Sequence, residues 1–353
     1  MPPSTSRQAE EAPRFQTHLW YLEAFDLSAT FTHGRKPYTS HDATLRGIGA
    51  TVRVAPSCAH LNRRADADVA QVERSLTNAW GTELLLTFTR DVATEDELLR
   101  LTNNWSIVQA YYVGYHAMQA LLVASGQARP TTHAGTQRQY ASFWINQARD
   151  LRPWSLAVDS NGPVNSPPGH TPDLGVQPWK TVNESNCWDI AFKAIDTTRR
   201  SSVSDALSDR RRREQAQRRK AWGEDEAGRL KLGRRPRREP IVPLPILTAA
   251  QKLEVATKVR PFTLLDYLYR LRIRTNYEDA DVFAVGPASQ QDSENLQRHL
   301  RNLVSGRLLA HELHICQLLG RPAMDRLIRR WLQDHIPSGR MHGLARRVDL
   351  ILA

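Results

Sequence analysis

From Asp68 onward the apolar positions fall into helical steps. Val69, Val72, Leu76, Trp80, Leu84 and Leu85 recur every three or four residues, which predicts one apolar face of a long helix. The clearest helix comes next. Thr94 and Glu97 have the spacing of a capping box, the run from Leu98 to Ser125 contains no Pro and one Gly (Gly114), and Gly126 followed by Pro130 marks a stop. That is about 30 residues, or about 45 Å at 1.5 Å per residue. A third helix is expected over residues 136–149. Residues 150–182, dense in Pro, Gly, Ser and Asn, read as a long loop. A short helix is expected over 187–195. The stretch up to Arg238 has almost no apolar face, with a solvated helix over 205–222, and Glu239–Pro245 reads as a Pro-punctuated linker. Helical periodicity returns over 249–258, 263–277, 289–319 and 323–334; the last carries Met324, Leu327, Ile328 and Trp331 on one face. Trp80, Trp105, Trp144 and Trp331 occupy apolar positions and are expected in the core. At the N-terminus, residues 1–15 read as a disordered tail, His18–Phe31 is aromatic-rich, and Ile48–Ala55 reads as a strand.

Composition refines this picture. With 353 residues, 41% hydrophobic and 24% charged, the chain is of globular type, neither disordered throughout nor collagen-like. No apolar run approaches the roughly 20 residues that span a bilayer, and Met1–Arg14 lacks the apolar stretch of a signal peptide. The expectation is a cytoplasmic protein without membrane contact. The formal net charge is +11, which points to an acidic partner such as nucleic acid. That charge is concentrated: residues 199–238 hold 15 Lys and Arg against 6 Asp and Glu, leaving 33 against 31 elsewhere. The basic segment, including Arg210, Arg211, Arg212 and Arg213, reads either as a phosphate-contacting arm or as a solvated, partly disordered insertion. Trp222 is its one aromatic residue, so base stacking along it is slight.

Cys58, Cys187 and Cys316 are dispersed and form no CxxC, which fits reduced, buried thiols rather than a disulfide or zinc module. His311, His314 and Cys316 lie in the sequence HELHIC, not HExxH, and phosphate-loop and dinucleotide glycine motifs are missing. No metal and no cofactor are expected.

Residues 108–133, VQAYYVGYHAMQALLVASGQARPTTH, carry Tyr111, Tyr112, Tyr115, His116, Ala117, Ala120, Leu121 and Leu122, then Thr132, His133 and Gly135. This stretch resembles the HEPN superfamily of helical bundles. A second stretch, LLDYLYRLRIRTNYEDADVF at 264–283, is similar to the family's later Arg-rich element, with Arg272 or Arg274, Asn276 and Tyr277 in the matching places and Asn276 where Asp is usual. The helix over 289–319 is similar to the family's closing helix. The resemblance covers about 70–150 and 250–318.

The resemblance implies an RNA-directed protein, often a metal-independent ribonuclease of toxin–antitoxin or phage-defence systems, acting as a homodimer. An imidazole would serve as general base or acid toward the RNA 2′-hydroxyl, and an Arg would offset charge on the phosphate. The implied catalytic positions are His116, Tyr112 and Gln109, with Gln109 standing where the family has Arg. Arg270, Arg272 and Arg274 would contact phosphate. Among other Arg–His pairs at the family spacing, only Arg307 and His314 share a helix within the matching region. A silent HEPN module that binds a partner protein, antitoxin, nucleotide or nucleic acid is the second implied reading.

The expected architecture is all-α: an antiparallel HEPN-like bundle over 66–150 and 250–320, a Pro-rich and basic insertion over 151–249, an N-terminal addition over 1–65 and a C-terminal helix within 321–353.

Overall fold

The structure is a computed structural model that describes residues 5–33, 40–92, 95–175, 179–238, 240–335 and 343–353. It is all-α apart from one small sheet. In chain order, its helices are α1 (Thr5–His33), α2 (His41–Val54), α3 (Pro56–Ala59), α4 (Val69–Val92), α5 (Asp96–Ala124), α6 (His133–Ser142), α7 (Cys187–Lys231), α8 (Ala249–Lys258), α9 (Leu264–Ile273), α10 (Ala280–Ala284), α11 (Gln290–Leu319), α12 (Arg321–His335) and α13 (Leu344–Leu352). α6 and α9 each continue into a π-helical turn, Phe143–Gln147 and Arg274–Glu278.

α5 forms the centre of the bundle, packed by α4 along one side and by α11, α9, α10 and α6 elsewhere. Small residues make this density of neighbours feasible: Ala110, Gly114, Ala117 and Ala120 are all buried. α5 ends as its sequence predicts. Gly126 adopts φ 75°, its N–H donates to the Val123 carbonyl and that of Gln127 to the Leu122 carbonyl, both at 2.9 Å, the Schellman pattern that favours glycine. The proposed cap residue Thr94 lies outside the described residues; Asp96 and Glu97 occupy the first turn, where the helix dipole favours acids. α11 starts at a capping box made by Ser289 and Asp292.

The N-terminal region differs from its sequence reading. Residues 5–15, expected as a tail, belong to α1, whose Phe15, Leu19, Leu22, Phe25 and Ala29 are buried in the common core. The expected strand over 48–55 is the second half of α2, with Thr44, Leu45, Ile48, Gly49 and Val52 buried at helical spacing. β-branched Val52 and Val54 favour strands locally, but packing on α1 and α11 overrides that preference.

The described residues of the insertion carry helix and strand as well. The expected short helix and the basic stretch are one helix, α7, of 45 residues, about 65 Å long. Its first half packs Ile190, Ala191, Ala194 and Ile195 into the core. The chain then returns along its outer half. Arg237 N donates to Glu226 Oε1 (2.6 Å) and Arg211 Nε to the Pro245 carbonyl (2.9 Å). Arg199 ties the root of α7 to the end of α8 by donating to the Ala256 and Val259 carbonyls, at 2.6 and 2.9 Å. Within the expected 150–182 loop, β1 (Ala157–Asp159) and β2 (Gly162–Val164) form a hairpin, and β3 (Phe262–Thr263) pairs antiparallel with β1, in the order β2-β1-β3. No helix among the described residues is long and apolar enough to cross a membrane.

A buried ion triad closes the C-terminal side. Arg347 of α13, fully buried, pairs with Glu83 of α4 and Glu312 of α11. Glu312 Oε1 also accepts from Trp80 Nε1 at 2.8 Å, and Ser305 Oγ donates to Glu83 Oε1 at 2.9 Å. Removing the cation strands two buried carboxylates, which costs about 3–5 kcal/mol. Arg347→Met is therefore expected to lower unfolding free energy in urea by about that amount. A loss below about 1 kcal/mol, the value of a surface pair, would contradict this role.

Candidate functional site

The tyrosine-rich part of α5 builds a cluster with α6 and α9. Tyr112 and His116, four residues apart, share a face, and their rings stack at 5.8 Å with 22° between planes. Tyr115 meets His116 edge-on at 5.3 Å. His133, at the start of α6, is placed by Thr132, whose hydroxyl caps the helix by accepting from Gly135 N at 3.1 Å. The His133 ring lies 4.8 Å from that of Tyr115 and 6.0 Å from that of Tyr112, and its Nδ1 is 2.8 Å from the Tyr111 hydroxyl. The two imidazoles therefore flank the same pair of tyrosines.

α9 supplies the charge. The Arg272 guanidinium carbon sits 5.1 Å from the Tyr112 ring centre and 5.7 Å from those of Tyr111 and Tyr269, within reach of cation–π attraction. Among the described residues no carboxylate pairs with Arg272, and its Nε is buried without a hydrogen-bond partner. A half-buried cation with no counterion, ringed by tyrosines and two imidazoles, is chemically suited to receiving an anion.

The expected Arg270–Arg274 cluster is split. Arg270 is paired with Glu278 at 2.9 Å and Arg274 with Asp279 at 3.3 Å. Both line a separate small pocket with His18, Tyr21 and Tyr267; four residues apart, they share a helix face that Arg272 does not. Asn276 and Tyr277 of the same element are exposed.

Gln109 is half-buried and one turn from Tyr112 on the same stripe; its amide oxygen is buried without a partner. Trp105, expected in the core, continues this stripe outward and is 63% exposed, while Trp80, Trp144 and Trp331 are buried. The remaining histidine candidates are structural. His311 Nδ1 donates to the Arg307 carbonyl (2.8 Å), and His314 Nδ1 to the Ala310 carbonyl (2.6 Å), with His314 Nε2 3.1 Å from Ser57 Oγ. Arg307 instead reaches the Ala110 carbonyl on α5, so Arg307 and His314 do not form a working pair. No group of three or more metal-ligating side chains occurs among the described residues.

Of the expected basic patch on α7, Arg210 is engaged by Glu214 (2.7 Å) and Arg211 by the Pro245 carbonyl. Arg212 lies 3.9 Å from Asp209, and Arg213 is exposed.

Two residues of the cluster, His133 and Tyr269, had no candidate role in the sequence. His133 was visible only as part of the helix-opening turn, and Tyr269 joins through the packing of α9 on α5. Comparison with family models, with curated proteins and with solved structures finds no match to this chain.

Burial, with Arg129 and His133 close by, lowers the His116 pKa from 6.5 to about 4. His133 is lowered by burial and by Arg272. Both imidazoles are thus neutral at pH 7. Between pH 6.5 and 4 the unfolded chain binds the proton that folded His116 refuses, so stability falls as pH drops through that window. In a proton-detected NMR titration the His116 ring is expected to titrate near 4; a midpoint near 6.5 would mean it is solvated.

Proposed function

We propose that this chain is a HEPN-like, RNA-directed protein of the cytoplasm that cleaves RNA without a metal or cofactor, in phage defence or toxin–antitoxin growth control, as a homodimer. The observation that carries this reading is the guanidinium of Arg272, without a carboxylate partner among the described residues, held against Tyr112, whose ring also stacks on His116. Gln109 leaves the family's Arg position uncharged, and Arg272 brings a cation to the neighbouring ring from another helix.

In this reading a neutral imidazole, His116 or His133, takes the proton from an RNA 2′-hydroxyl. The 2′-oxygen forms a bond to the adjacent phosphorus, the bond to the 5′-oxygen breaks, and the imidazolium formed in the first transfer returns that proton, through a water molecule, to the leaving oxygen. The products are a 2′,3′-cyclic phosphate and a 5′-hydroxyl. Arg272 stabilises the added charge on the phosphate oxygens. The basic arm supports the same substrate class: exposed Arg212 and Arg213, with Arg218 and Arg219 one to two turns on, offer contacts to a phosphate backbone.

A partner-binding module is the second reading. It is favoured by Leu98, Leu101 and Trp105, which are exposed at steps of three and four on α5.

The deciding experiment incubates mixed total RNA with purified protein in EDTA. Wild type is expected to cleave, and His116→Ala and Arg272→Gln to cut the rate about 100-fold or more. Neutralising Arg212, Arg213, Arg218 and Arg219 to Gln is expected to flatten the salt dependence of RNA binding by about three in log–log slope. If wild type leaves RNA intact, the partner-binding reading replaces the ribonuclease.

A further inference from the structure

α11 carries two buried arginine sites that are solved in opposite ways. At one, Glu312 joins Glu83 in holding Arg347. At the other, five residues earlier, Arg307 is 1% exposed and has no carboxylate partner among the described residues. Its Nη2 donates to the Ala110 carbonyl at 2.7 Å, while Nε and Nη1 have no partner. The guanidinium lies flat on α5 at Gly114, where an added Cβ would come within 2.2 Å of its central carbon. The missing side chain at Gly114 leaves the room that this group occupies.

The surroundings of Arg307 are also short of acceptors. The Tyr140 hydroxyl stands beside the Arg307 guanidinium, where its oxygen can accept from it, and the Trp144 indole N–H and His311 Nε2 are buried without partners. The rings are adjacent: Trp144 is 5.2 Å from His311 and 5.7 Å from Tyr140. His311 spends its Nδ1 proton on the Arg307 carbonyl, so in the neutral ring Nε2 is a lone pair, and with the Tyr140 oxygen it makes two neutral side-chain acceptors in the group. Against them stand the N–H groups of Arg307, one O–H and one indole N–H, and neither acceptor carries a charge. Asp266, a nearby carboxylate, is already held by Arg260. Donors in this number, around a cation, call for an acceptor-rich negative guest.

We propose that Arg307, Tyr140 and Trp144 form an interior site for a small monoanion, a halide or a compact planar oxyanion such as nitrate or bicarbonate, enclosed between α5, α6 and α11. The guest completes the hydrogen bonding of the cluster and compensates the buried charge. Tyr111, whose hydroxyl meets His133, also acts electrostatically on Arg307. The site is independent of whether the protein cleaves RNA.

The test is thermal unfolding of the whole protein at constant ionic strength, replacing sodium gluconate, whose anion is too bulky for the interior, by chloride or by nitrate. Above half-saturation the melting temperature is expected to rise by about 2 °C per tenfold increase in the small anion. Arg307→Met is expected to abolish that response, and Tyr140→Phe to raise the half-saturating concentration about tenfold. Which of chloride and nitrate acts at lower concentration distinguishes the two ligand shapes. Crystals grown with bromide are expected to give an anomalous peak within hydrogen-bond distance of Arg307 and Tyr140, a readout available even if Arg307→Met does not fold. Equal melting curves in gluconate and the small anions, a response retained by Arg307→Met, or ordinary water density without an anomalous peak would each overturn the proposal.

Discussion

The near-complete burial of α5 from Ser106 to Ala124 is the constraint on which the rest of the molecule depends. Five helices approach it, and its interior positions are filled by small or apolar residues down to Gly114. A helix enclosed in this way can show polar chemistry only along the one stripe its neighbours leave uncovered. On α5 that stripe runs through Trp105, Gln109, Tyr112 and His116, and it is the line along which both the candidate site and the exposed apolar surface lie. α9 crosses beside it and adds Tyr269 and Arg272; the start of α6 adds His133. The site is thus a product of the core packing, with ring positions fixed by the same contacts that stabilise the bundle.

Three arginines near this core illustrate how environment sets the role of one side chain. Arg347 is buried between two carboxylates, and burial there is offset by direct pairing. Arg307 is buried among hydroxyl, indole and imidazole groups, with no pairing carboxylate among the described residues. Arg272 is half-buried on tyrosine faces, where the guanidinium is attracted without being neutralised. The first arrangement closes the fold. The other two leave a positive charge open to a guest. Arg270 and Arg274, equally half-buried, behave differently again, being engaged by Glu278 and Asp279.

Legibility in the sequence followed periodicity. α4, α5, α11 and α12 have apolar residues at steps of three and four over many turns, and their positions were readable. α2 was not, because a short run with β-branched Val52 and Val54 carries strand preference that tertiary packing overrides. α7 was read in pieces because its outer half lacks an apolar face; its partners there include Arg237 and the Pro245 carbonyl, contacts that no local pattern announces. At the site, Tyr112 and His116 were legible because four residues fix a shared helix face. Arg272 could be named but not separated from Arg270 and Arg274 until the faces of α9 were known. Trp105 shows the limit of pattern reading: a periodic aromatic position looks the same whether the facing helix is present or missing.

The central claim is that Arg272 and the two imidazoles form one phosphate-receiving site. It is tested most directly by NMR of ¹⁵N-labelled arginine and histidine side chains during titration with a dinucleotide whose 2′-hydroxyl is replaced by hydrogen, so that it binds without being cleaved. The account predicts saturable shifts of Arg272 Nε together with His116 and His133, at a single dissociation constant, while Arg270 and Arg274 stay still. Shifts confined to the arginines of α7, or none at the tyrosine cluster at saturating dinucleotide, would contradict it.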